Sequence, residues 1–458
     1  MISRSRLALL LALLFPLHSA ADFSDAMVLY QKQDFSAAFE EFTGLAGLGD
    51  HAAQFNLGVM YYKGQSVEKD VMRAYAWMAL ATQGGDADWT RVSKKIFDRF
   101  DDDEKLLAKN EREGLFAEYS DAAIMARLAP VLSSNGDENN HLARVRTVLP
   151  KYPNSMEFLR KGGFVDIVFA VAVDGSTRNY GIVNYSERGF IQNAIDTLKE
   201  WRYEPLKING KPVEIYGQQI RINYLFADEF SELKVKNFIE DNKKKAEAGN
   251  ANDQYNYALL LELVPTYTKI KIDQSDANHW YWKSATAGFS RSQFSLGRNL
   301  LYGKACTADS TKSLFWLQKA AENGATDAQY LLAIEMLSGA RLAKNEVAAH
   351  KWLQKAADGG NQNAQLKLAW LLVTNADKNL RDAATATRYL AKVSDEYLDR
   401  LTYFETKAAV AAEQADFDAA LKWQQQAAEE AKRFDMPMDV VSARFTVYQA
   451  HHAWVESL

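Results

Sequence analysis

Apolar positions along the chain follow two different periods. From about residue 249 to 395 they recur at helical spacing, and the same arrangement occurs at about 49–85. Three positions repeat at an interval of 36 residues: Gln293, Gln329 and Gln365; Trp280, Trp316 and Trp352; Gly288, Gly324 and Gly360. A fixed interval in this range predicts stacked helical hairpins, because each unit can bury its apolar face only against the next. Gln54 and Trp77 keep the same 23-residue spacing as Gln293 and Trp316, whereas Gln254 to Trp280 is three residues longer, with an insertion near Pro265. Ten residues after the glutamine come Gly64, Gly303, Gly339 and Asn375, residue types suited to a left-handed helix C-cap. The tryptophans read as core residues, since helical spacing accounts for them fully. Plainer hairpins start at Asp34-Phe35-Ser36-Ala37-Ala38 and Asp416-Phe417-Asp418-Ala419-Ala420.

Between about 129 and 227 the helical period gives way to alternation. Val165, Ile167, Phe169, Val171 and Val173 mark a strand with one buried face. Asp174-Gly175 predicts a hairpin turn into a second strand near Arg178–Asn184. A helix follows, with Phe190, Ile191, Ala194, Ile195 and Leu198 on one side; Asn209-Gly210 predicts another turn. The last strand sets Ile220, Ile222, Tyr224 and Phe226 inward and Gln219, Arg221 and Asn223 outward. One helix over a three-stranded antiparallel sheet, wet on its polar face, is the simplest assembly.

The N-terminus changes the picture. Arg4 and Arg6 precede an apolar run from Leu7 to Leu17, and Ser19-Ala20-Ala21 offers a small-residue cleavage site. That order predicts a secretory signal peptide, and no later apolar run is long enough to span a membrane. A single cysteine, Cys306, offers no intramolecular disulfide, which suits a Gram-negative periplasm and a chain held by packing. At 48% apolar and 25% charged residues the chain has ample core material, and its net charge of -5 argues against a nucleic-acid partner.

The A-x-x-x-L-G…Y-x-G and W-L-x-K-A-A patterns resemble Sel-one-like repeats, relatives of the tetratricopeptide repeat, which implies adaptor surfaces for proteins or peptides. The inserted segment resembles the C-terminal domain of TonB-type energy transducers. Its matching pieces are Pro150-Lys151-Tyr152-Pro153, Val173-Asp174-Gly175, Trp201-Arg202-Tyr203-Glu204-Pro205 and Asn209-Gly210-Lys211-Pro212-Val213, with the closing strand. In that family the domain captures a segment of outer-membrane transporters by strand addition. The resemblance places the docking edge on Gln218, Gln219, Ile220, Arg221, Ile222, Asn223 and Tyr224, within a strand running to Phe226. Two readings stay open: a free edge, or one covered by the flanking repeats. The membrane anchor and proline-rich spacer of a transducer are missing, which puts motor-driven transduction in doubt.

Candidate chemistry is sparse. The seven histidines form no zinc-binding set, Asp101-Asp102-Asp103-Glu104 lacks calcium-loop spacing and serves as a helix start, and no nucleophile elbow or phosphate loop occurs. No cofactor is expected. The fold class is mostly α: an α-solenoid of helical hairpins with an inserted small α+β domain. The expected division is 1–21 signal peptide, 22–87 N-terminal repeats, 88–128 connecting helices, 129–228 α+β domain, 229–395 repeats and 396–458 a terminal hairpin. The expected function is a non-enzymatic periplasmic scaffold binding envelope proteins or peptides through the groove of the repeats and, where the sheet edge is free, by strand addition. The alternatives are an accessory of TonB-dependent outer-membrane transport and, third, an envelope hydrolase.

Overall fold

A computed structural model describes residues 23–456, apart from 134–141, 159–161, 209, 225–231 and 394–398. The segment expected to be a signal peptide, Asn209 and Phe226 lie outside the described residues. The chain forms two compact units, Met1–Ala129 and Pro130–Leu458.

The first unit is helical: α1 (Phe23–Gln31), α2 (Phe35–Gly47), α3 (His51–Lys63), α4 (Val71–Ala81), α5 (Ala87–Phe97), α6 (Asp102–Tyr119) and α7 (Asp121–Leu128). Asp34, Asp50, Asp70 and Asp86 each cap the next helix by accepting a backbone N–H from its first turn. Asp101 and Glu104 form a reciprocal capping box, so the acidic run at 101–104 starts α6. Phe42, Leu57, Met60, Trp77 and Leu80 make the core. At Gly58 a Cβ would lie 2.6 Å from Met78 Cγ, so α3 and α4 meet more closely than any larger residue allows.

The second unit opens on the α+β domain: β1 (Arg144–Arg146), α8 (Asn154–Phe158), β2 (Gly163–Val171), β3 (Thr177–Tyr185), α9 (Ile191–Lys199), β4 (Arg202–Tyr203), β5 (Lys207–Ile208), β6 (Lys211–Pro212) and β7 (Ile215–Tyr224). The main sheet is antiparallel in the order β3-β2-β7, and β1-β4 and β5-β6 are separate pairs. The first strand ends at Val171, two residues earlier than the alternation suggests, and Val173 is 52% exposed beside the turn. The expectation of a wet face fails. Asp166, Val168 and Ala170, which point away from the apolar side, are as buried as Val165 and Ile167. Arg221 reaches back along that face to hold the Asp166 carboxylate at 2.7 and 2.8 Å. A polar alternation here marks a covered face with its charges paired.

The repeats follow as α10 (Glu232–Glu247), α11 (Ala251–Tyr267), α12 (Gln274–Thr286), α13 (Ser290–Tyr302), α14 (Ser310–Glu322), α15 (Thr326–Ser338), α16 (Glu346–Asp358), α17 (Gln362–Thr374) and α18 (Ala383–Leu390). The chain closes with α19 (Arg400–Glu413), α20 (Phe417–Arg433) and α21 (Asp439–Gln449). The extra residues near Pro265 are absorbed by α11, which carries that proline inside its last turn. Gly64, Gly303 and Gly339 take the left-handed C-cap, with φ of 68°, 64° and 64°. Asn375 does not: its φ is -55°, and the chain leaves α17 extended. Trp316 and Trp352 are buried, whereas Trp280 is half-buried with Lys283 over its ring.

The recurring glutamine has a physical role that spacing alone does not show. Gln54, Gln293, Gln329 and Gln365 each donate from Nε2 to an alanine carbonyl eight residues upstream, at 3.3, 3.2, 2.9 and 2.9 Å. That carbonyl lies in the last turn of the preceding helix and also accepts the N–H of the glycine three residues on, Gly49, Gly288, Gly324 or Gly360, so the amide adds a second donor. The amide therefore ties one hairpin to the next. Gln329→Ala removes this donor while the Gly324 N–H still reaches the Ala321 carbonyl, and should lower stability by about 0.5–1.5 kcal/mol. Urea unfolding against an exposed control such as Leu380→Ala measures it, and equal midpoints would remove the clamp from this account.

Candidate functional site: strand β7 and the repeats beside it

β7 is an edge strand, and its two halves have different surroundings. The first half is held by repeat helices. Tyr216 is buried, its ring meets Tyr330 edge-on at 4.8 Å, and its hydroxyl donates to Asp327 at 3.2 Å. The Glu214 carbonyl accepts from Arg341 at 3.5 Å, and Arg341 is itself paired with Glu335 at 2.7 Å. The Gly217 carbonyl accepts from Arg298 Nη1 at 3.1 Å. Gly217 has φ of 85° and sits where the register with β2 shifts between Phe169 and Val171. A Cβ there would lie 2.9 Å from Arg298 Cδ, so both backbone conformation and close approach require glycine.

Arg298 is fully buried and belongs to a charged cluster. Its Nη2 meets Glu262 Oε1 and Oε2 at 2.8 and 2.9 Å, and both Nε and Nη2 meet Asn299 Oδ1. Glu262 also accepts from Tyr281 at 2.7 Å and Lys304 at 2.5 Å. Burial pushes the Glu262 carboxyl up, but the cations of Arg298 and Lys304 and the hydrogen bonds outweigh it and hold the group at about 2.

The domain is gripped at two more places. On β3, Asn179 has φ of 54°, donates its N–H to Asp399 at 3.2 Å, and offers its carbonyl to Asn363 at 3.0 Å. At the end of α9, buried Lys199 pairs with Glu430 at 2.8 Å and lies 4.8 Å from the Phe434 ring centre. Arg202 donates to the Phe434 carbonyl and, at 2.8 Å, to that of Asp435.

The second half of β7 carries the residues assigned as the docking edge. Gln218 to Tyr224 pair with β2 in unbroken register, from Phe169↔Gln218 to Gly163↔Tyr224. Ile220, Ile222 and Tyr224 are buried; Tyr224 stacks on Phe190 at 4.3 Å and donates to Asn193 at 2.7 Å. Gln218, Gln219, Arg221 and Asn223 are half-buried, and α11 packs beside the strand. Arg221 also lies 4.0 Å from the Phe164 ring centre. The structure thus brings all seven residues onto one strand. Sequence reasoning missed the partners Glu262, Arg298 and Arg341; for the first two the signal available was a charged residue inside an otherwise apolar repeat helix, whereas Arg341 lies in the connection after α15.

Two family descriptions match the chain. Residues 51–86, 290–324 and 326–361 match the family described as Sel1 repeat. Residues 148–226 match the Gram-negative bacterial TonB protein C-terminal family. The chain carries Sel1 repeats and an embedded TonB C-terminal-like domain. Similar solved structures include a protective antigen of uropathogenic Escherichia coli displaying an SLR fold, at 16% identity over 90% of this chain and 78% of that one, with a TM-score of 0.36. A Sel1 repeat protein from Oxalobacter formigenes shares 12% identity over 89% of this chain and 100% of its own, at 0.35. One from Klebsiella pneumoniae subsp. pneumoniae shares 21% identity over 46% of this chain and 99% of its own, at 0.30. No curated protein matches the chain. Among the described residues of this Sel1-repeat chain, no group of acidic, histidine or cysteine side chains could hold a metal ion, and no helix is long and apolar enough to cross a membrane. Cys306 is buried, and burial pushes its thiol up to about 12, so it does not ionise at neutral pH.

Two predictions follow from the cluster at Gly217. Gly217→Ala should cost about 1–3 kcal/mol through its positive φ, and more if Arg298 cannot retreat; calorimetry reads it as a lowered melting temperature. Because Glu262 is held below its ordinary value of 4.5, its contribution is complete above that pH and disappears as pH falls towards about 2. Urea midpoints should drop across that window. A Glu262→Gln variant should be destabilised at pH 7 and lose that part of the acid dependence; an unchanged pH profile would contradict the assignment.

Proposed function

We propose that this protein is a non-enzymatic interaction scaffold of the Gram-negative envelope, working in the periplasm, and that β7 from Gln218 to Tyr224 is a docking strand for an extended partner segment. Sel1-repeat proteins are generally protein–protein interaction scaffolds, and the TonB C-terminal match supports an envelope setting. The observation that carries the choice of strand is register. β7 pairs regularly over these seven residues, whereas β3, the other edge, is interrupted by two register shifts. A regular edge offers evenly spaced backbone groups to an added strand, and bulges spoil that spacing.

The same domain match favours a second reading, an accessory of TonB-dependent outer-membrane transport, in which the captured segment belongs to a transporter. Photocrosslinking in cells separates the two. A benzophenone amino acid at Gln218 is compared with one at exposed Leu380. An adduct with an outer-membrane transporter, specific to Gln218, selects the transport reading. A specific adduct with another envelope protein selects the general scaffold. Identical adducts from both positions, or none from Gln218, would remove β7 as the docking strand.

A further inference from the structure

The last described residues of the chain fold back on the end of the helical array. α21 stops at Gln449, and His451, with φ of 58° and its ring stacked 5.0 Å from that of Phe417, turns the chain. The tail then reaches α17. The Glu456 N–H donates to the Thr374 carbonyl at 2.9 Å. The Glu456 carboxylate accepts from the indoles of Trp370 at 3.0 Å and Trp454 at 3.3 Å. Thr374 is the last residue of α17, the helix that ends extended at Asn375 instead of in a left-handed cap. All of these residues lie beyond 361, where the last match to the repeat family stops.

The slot beneath this tail offers more than the tail uses. The Arg444 guanidinium lies 4.5 Å from the Trp370 ring centre and 5.4 Å from that of Trp454, and Glu405 pairs with it at 2.5 Å. Tyr448 is fully buried in a cluster against which Ala453 and Trp454 of the tail pack. Arg444 is 9% exposed. Yet neither Arg444 Nε nor the Tyr448 hydroxyl has a hydrogen-bond partner among the described residues. Buried polar groups without partners cost stability, so both mark places for an acceptor that the tail does not fill. The tail itself is held lightly: Trp454 is half-buried and Val455 is 49% exposed. A terminal segment with so few contacts opens at small cost. Its side chains are a template of what fits: an aromatic ring to close over Arg444 and, two residues on, a carboxylate for the Trp370 N–H.

We propose that the slot formed by Trp370, Arg444 and Tyr448 docks an extended segment of a partner protein that carries an aromatic residue and, two residues later, a carboxylate. In the free protein Trp454-Val455-Glu456 closes the slot as an internal competitor. The partner displaces it by offering acceptors to the Tyr448 hydroxyl and Arg444 Nε. This site is separate from β7 and does not depend on the reading of that strand.

The probe is a fluorescent heptapeptide with the sequence of residues 450–456. It is added to the full chain and to a full-length variant, Trp454→Ala with Glu456→Ala, whose own tail no longer competes. Anisotropy should show the peptide binding the variant about tenfold or more tightly than the unmutated chain, because a tethered tail competes at an effective concentration of about millimolar. A peptide with its valine and glutamate exchanged should bind the variant about tenfold more weakly, since the carboxylate no longer reaches Trp370. Adding Trp370→Phe, which keeps an aromatic ring and removes the indole N–H, should weaken binding of the original peptide by a similar factor. Hydrogen exchange on the unmutated chain needs no variant: residues 451–456 should lose protection as unlabelled peptide is raised. Failure of the peptide to bind the variant overturns the proposal. So does equal affinity for the exchanged peptide, or a tail whose protection never changes. A dimer of the unmutated chain that the tail substitutions dissolve, read by light scattering, would give the slot to a second copy of this chain and overturn it as well.

Discussion

The buried contact between Glu262 and Arg298, and its reach to the Gly217 carbonyl, is the interaction on which the second unit depends. Taking a carboxylate and a guanidinium out of water costs several kcal/mol per ion unless each is fully satisfied. Here Glu262 on α11 receives Arg298 from α13, Lys304 from the loop after it and Tyr281 from α12. Arg298 spends another donor on β7. Charges from the repeats are thus satisfied partly by backbone of the inserted domain. The domain and its flanking repeats are thermodynamically linked, because separating them would strand a guanidinium donor in an apolar surrounding.

The other grips extend this logic. Asp399 and Asn363 hold the bulge at Asn179, and Glu430 neutralises Lys199 at the end of α9. Each pairs a domain residue with one far along the chain, and each is buried or half-buried. The repeat surface next to Glu214–Gly217 is therefore occupied by the chain's own strand. A partner would meet the surfaces that remain.

Much of this was legible in the sequence. The 36-residue interval of Gln, Trp and Gly revealed the hairpins, because stacking demands the same small, large and left-handed positions in every unit. Alternation at Val165–Val171 and Ile220–Tyr224 revealed the strands, because side chains in a sheet point to opposite faces. The left-handed cap failed at Asn375, where nothing but the local path of the chain decides between glycine-like and extended backbone.

What the sequence could not carry was which surfaces meet. Gln219, Arg221 and Asn223 read as solvent-facing, since polar alternation looks the same whether water or a paired charge lies above it. Arg221 is answered by Asp166 across the strand pair, and only the register brings them together. Gly217, Arg298 and Glu262 are likewise unremarkable in order along the chain. By itself the sequence determined the elements, their repeat and the family resemblance, all of which arise from local spacing. The tertiary structure decided which charges are buried and which part of the sheet the repeats hold, because those depend on contacts between residues tens to hundreds of positions apart.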